Sequence, residues 1–90
     1  MNKKTTSEIL IEWAADLDAA TRKVGSCDTS QLQATLHMLA MAAKSNLVYI
    51  DDDLLSTAQY LADANTRSPS HDIRGEAATV LAWIKTVKNV

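Results

Sequence analysis

From Ile9 to Val24 the apolar residues Ile9, Trp13, Leu17, Ala20 and Val24 recur in steps of four, four, three and four. That period lays them along one face of an α-helix and along no face of a strand. Three further segments repeat it, and none alternates polar and apolar residues in twos. A helical stripe has to be buried against other helices, and short connections make sequential helices antiparallel neighbours. The fold expected is therefore all-α, a compact bundle of four helices over roughly residues 6–24, 29–46, 52–64 and 69–88. Residues 1–90 then form one helical domain, with 1–5 expected to be disordered ahead of it.

The breaks between stripes carry their own signals. Thr5 and Glu8 have the capping-box spacing, in which each side chain satisfies the other's backbone N–H. Arg22 and Lys23 suit the negative end of the first helix, and Gly25 is placed to stop it. Asp28 and Gln31 repeat the capping spacing and open the second helix, whose stripe is Leu32, Leu36, Leu39, Ala43 and Leu47. Ala34, Met38, Met41 and Ala42 widen its apolar arc, so this helix is expected to be central, or covered by a second copy of the chain. The third carries Leu54, Leu55, Ala58, Leu61 and Ala62 inward. Pro69 cannot continue a helix but fits the first turn of the next, with Ser68 as its cap. The fourth stripe is Ile73, Ala77, Val80, Leu81, Ile84 and Val87. Gly75 interrupts it at a cost of about 1 kcal/mol relative to Ala, which predicts close packing against another backbone.

Composition sharpens this. The chain has no Phe, two Trp and two Tyr, so the core must be built from aliphatic side chains and alanine. A net charge of -2 provides no electrostatic footprint for nucleic acid or an anionic membrane. Residues 1–50 balance five bases against five acids, and the excess acid lies in 51–90, with six acids against four bases. The single Cys27 excludes an internal disulfide and fits a reducing compartment. No apolar run approaches the roughly 18 residues a bilayer span needs, so no membrane role and a cytoplasmic location are expected.

The sharpest local feature is Tyr49-Ile50-Asp51-Asp52-Asp53-Leu54-Leu55. A helix-loop-helix calcium site starting at Asp51 would need an oxygen ligand, a glycine and an acid where Leu55, Ser56 and Ala62 stand. One aspartate is instead expected to cap the third helix, with the others at its positive dipole end. Carboxylates left facing outward, with Tyr49 and Tyr60, would offer an acidic surface to a protein partner. Cys27 lies beside a helix start, which favours the thiolate. His37 is ten residues on, about 15 Å along a helix, so no base reaches it and the thiol reads as inert. His37 and His71 read as surface residues. Zinc spacings, a glycine-rich phosphate loop, GxSxG and HExxH are all missing from the sequence. No catalytic residue, cofactor or metal is expected.

Two segments resemble known families. His71 to Ile84, with Asp72, Ile73, Arg74, Ala77, Ala78, Leu81 and Ile84, looks like the second helix of a HEAT repeat, which implies an antiparallel hairpin of helices three and four. Gln59 to Ala77 is similar to a helix-turn-helix, with Leu61 and Ala62 on the first helix and Ser68-Pro69-Ser70 opening the second. That resemblance implies DNA contacts from Arg67 and Arg74. It departs at the turn, where Thr66 and Arg67 replace the usual glycine, and Asp72 and Glu76 would repel phosphates.

The expected function is a non-enzymatic protein-binding module: an inhibitor, adaptor or immunity-type factor, of bacterial or phage type, occupying a partner with a basic surface. Tyr49, Asp51, Asp52, Asp53 and Tyr60 are the candidate interface, and Met38 and Met41 would close a homodimer. A DNA-binding regulator using residues 59–77 is the alternative.

Overall fold

The computed structural model describes residues 4–25, 27–44 and 52–88. It contains four helices, α1 (Thr6–Val24), α2 (Ser30–Lys44), α3 (Asp52–Asn65) and α4 (His71–Lys88). Each packs against its two neighbours in the cycle α1, α2, α3, α4 and back to α1, most extensively in the α1–α2 pair, and the backbones of diagonal pairs do not approach closely among the described residues. The fold is the expected four-helix bundle. It has one core, dominated by Leu10, Leu17, Leu32, Leu36, Leu39, Ile73, Val80 and Ile84.

Contacts far apart in sequence fix the helix directions. Lys23 pairs with Asp72, and the rings of Trp13 and Trp83 meet edge to face with centroids 6.1 Å apart. As α1 is followed backwards α4 is followed forwards, so the two are antiparallel. Lys88 at the end of α4 donates to Gln59 Oε1 (2.9 Å) on α3, so that pair forms the antiparallel hairpin implied by the HEAT-like segment.

The start of α1 is as the spacing predicts. Thr5 is the N-cap: Glu8 N–H donates to Thr5 Oγ1 (3.1 Å) and Thr5 N–H to Glu8 Oε1 (3.2 Å). The Thr5 N–H and the Thr5 hydroxyl, which donates to the same Oε1 (3.0 Å), favour the charged carboxylate and hold the Glu8 pKa below its ordinary value. The expectation of disorder over 1–5 concerns residues of which 1–3 lie outside the described chain. At the other end Gly25 takes a left-handed φ of 78° and donates its N–H to Thr21 O. A side chain there would meet the following carbonyl.

Several finer expectations are corrected. The buried stripe of α1 is Ser7, Leu10, Ala14, Leu17 and Ala20, while Ile9 and Trp13 are half-buried and Val24 is exposed. Ile9, Leu10 and Ile11 are consecutive apolar residues, so two stripes compete, and the one through Leu10 is buried where α1 packs against α2 and α4. The second helix is not uniquely central, since every helix has two neighbours. Its Leu47 lies outside the described residues. Asp28 and Gln31 form no capping box: Asp28 accepts the Ser30 N–H (2.9 Å), and Thr29 O accepts the first helical bond from Gln33. The Ser30 hydroxyl and N–H together hold the Asp28 pKa low.

At α4 the cap is Ser70, whose Oγ accepts the Ile73 N–H (3.3 Å), and Pro69 precedes the helix. The reason is visible in Arg74, whose guanidinium donates to Ser68 O (2.9 Å) and Pro69 O (3.2 Å) and holds these carbonyls outside the helical ladder.

Candidate functional site

α1 and α4 do not close on each other along their whole length. Their seam is tied at one end by the Lys23–Asp72 ion pair (3.3 Å) and at the other by the Trp13–Trp83 contact. The two ties lie ten positions apart along α1, about 15 Å of helix. Between them runs an open groove of about 380 Å³, lined by Asp16, Ala19, Ala20 and Lys23 of α1 and His71, Asp72, Gly75 and Glu76 of α4.

Local sequence explains the shape. Trp13, Asp16, Ala20 and Lys23 are spaced three, four and three apart, and Asp72, Glu76 and Trp83 four and seven apart, so each set shares a helix face. The antiparallel register set by the two ties brings Ala19 and Ala20 opposite Gly75 and Glu76. Small side chains on both walls leave the gap that larger ones would fill. The expectation of close packing at Gly75 is corrected: a Cβ built there meets nothing within 4 Å.

Three carboxylates line the groove, and only Asp72 has a cation partner among the described residues. Burial, reinforced by the charges of Asp16 and Asp72, raises the Glu76 pKa above its ordinary value. His71 is exposed at the rim. Among the described residues no three His, Cys, Asp or Glu side chains gather closely enough to hold a metal ion.

The residues singled out from sequence are dispersed. Asp52 and Asp53 lie in the first turn of α3, where the helix dipole favours them, while Tyr49 and Asp51 lie outside the described residues. Tyr60 is 74% exposed on α3. Met38 and Met41 are 50% and 70% exposed on α2, in one stripe with exposed Ala34. Cys27 is half-buried against the core, its Sγ 3.9 Å from Ser68 Oγ, and His37 is exposed. Both arginines proposed for DNA have partners within the chain: Arg67 pairs with Asp63 (3.2 Å), and Arg74 holds the two loop carbonyls.

Sequence reasoning passed over Asp16 and the place of Glu76 beside it. No local motif joins them; the one available signal was the unexplained glycine one residue before Glu76. No helix among the described residues is long and apolar enough to cross a membrane. Compared with known proteins, the chain matches no family model, and no curated protein or solved structure matches it significantly.

Proposed function

We propose that this chain is a non-enzymatic protein-binding module, an inhibitor, adaptor or immunity-type factor that works by occupying a basic surface of a partner protein. The observation that carries the reading is the α1–α4 groove, where Asp16 and Glu76 have no ion-pair partner among the described residues and stand beside Asp72. Negative potential in a cleft steers a positively charged partner and favours its docked orientation. The aspartates at the start of α3 supply a second acidic surface, with exposed Tyr60 on the same helix.

The test is capture of the tagged chain from host lysate, with and without nuclease, by wild type and two charge-neutral variants. Asp16→Asn/Glu76→Gln removes the groove's free charge, and Asp51→Asn/Asp52→Asn/Asp53→Asn the other acidic surface. A stoichiometric protein that survives nuclease and is lost from either variant supports the reading. Capture equal in all three, or lost entirely on nuclease treatment, overturns it, the latter outcome favouring DNA binding.

A second reading is self-association through Ala34, Met38 and Met41, favoured by their exposure in one stripe of α2. Light scattering at high micromolar concentration decides it: a dimer mass supports it, and a monomer mass ends it.

A further inference from the structure

We infer that Gly75 is a contact position: the α1–α4 groove receives an arginine-bearing segment of a partner protein, whose atoms fill the space above the Gly75 Cα. The inference deepens the proposed function and rests on it.

Gly75 is the starting point because the fold does not account for it. It lies inside α4, where glycine is about 1 kcal/mol less favourable than alanine. Its backbone does not demand glycine, since positive φ among the glycines is confined to Gly25. Close packing does not demand it either, since a Cβ would meet nothing within 4 Å. Residues that break a local rule with no structural return are where intermolecular requirements surface. Ala19 and Ala20 line the same groove, so the missing side chain extends a gap bounded on both helices.

Charge selects the occupant. Lys23 is engaged by Asp72, and Asp16 on one wall and Glu76 on the other have no ion-pair partner among the described residues, Lys4 acting on Asp16 only from a distance. Burial is the main cause of the raised Glu76 pKa, and the charges of Asp16 and Asp72 add to it. A cation placed between the walls relieves that repulsion. Arginine suits it better than lysine, because its planar guanidinium presents donors in a fork that two carboxylates can share and is more weakly hydrated than an ammonium.

The experiment uses the full chain labelled with nitrogen-15 and three probes: an amidated tetra-arginine peptide, its tetra-citrulline counterpart and spermine. The chain has two glycines, so their amide signals are readily told apart from the rest. Expected is a saturable shift of Gly75 with Gly25 unmoved, no response to citrulline, and weaker binding of spermine. Asp16→Asn/Glu76→Gln should weaken the arginine peptide about tenfold, equivalent to about 1.4 kcal/mol. Gly75→Ala should also weaken it severalfold while raising the melting temperature, a combination that loss of folding cannot produce. Unchanged affinity in Gly75→Ala, or spermine binding as tightly as the peptide, overturns the inference. Binding that shifts Asp52 and Asp53 but not Gly75 overturns it while leaving the proposed function standing. Binding nowhere overturns both.

Discussion

α1 has two seams of opposite character. On the α2 side, Leu10, Leu17, Leu32, Leu36 and Leu39 are fully or almost fully buried in the core, and the polar groups present are satisfied internally. Thr21 donates its one hydroxyl proton to Leu17 O (2.7 Å), so the 2.7 Å contact between the Thr21 and Thr29 hydroxyls must have Thr29 as donor. Thr29 in turn accepts from Gln33 Nε2 (2.8 Å). On the α4 side, the seam holds alanines, a glycine and carboxylates around an open groove. The contrast teaches that one helix can be finished on one flank and left available on the other. Stability should therefore reside in the first seam and be recoverable from the second.

The largest expected effect breaks the closed seam. Leu36→Ala removes a fully buried side chain and should lower unfolding free energy by about 2–5 kcal/mol in a urea titration. Thr29→Val keeps the shape but removes the hydroxyl to which partly buried Thr21 and Gln33 bond, and should cost about 0.5–1.5 kcal/mol by the same measurement. If Thr29→Val proves neutral, the α2 seam is held by apolar contact alone and the hydroxyl chain is incidental.

On the open seam the sign reverses. Gly75→Ala should stabilise by about 1 kcal/mol, read as a rise of about 4–8 °C in melting temperature for a domain of this size. A loss instead would mean the space above Gly75 is needed by the fold itself, and the two seams would be less different than they look.

Glu76→Gln gives the smallest change. The folded-state pKa of Glu76 lies above its unfolded value, so folding favours its protonated form, and that contribution fades as pH rises through the folded value. The glutamine variant should accordingly be slightly more stable at neutral pH, with the gain vanishing as pH falls below the carboxylate range. Glu8 and Asp28 act oppositely, their folded-state pKa values being low, so their contribution is present at neutral pH and lost on acidification through those values. Melting curves of the two proteins across that pH range check the sign.

What could be read in advance was whatever depends on residues close in sequence. The Thr5–Glu8 box, the Gly25 stop and the range of α1 are local and were legible. The Ser68-Pro69-Ser70 turn was legible as a break, but either serine could cap. The choice fell to Ser70 because Arg74, a turn further on, claims the carbonyls of Ser68 and Pro69. The phase of α1 was ambiguous because three adjacent apolar residues serve two stripes, and its neighbours decide between them. The groove was illegible for a stronger reason: its walls come from the first and last helices, and their register is set by the Lys23–Asp72 and Trp13–Trp83 contacts.

That tryptophan contact has a use beyond packing. Trp13 and Trp83 are the chain's two tryptophans, and they flank the same seam as the groove. Their indoles are close enough for their electronic transitions to couple, so the circular dichroism of the unlabelled protein carries an exciton signal belonging to this one seam. A change in the spacing or angle of the two rings alters that signal. The molecule carries its own optical gauge of how α1 sits against α4.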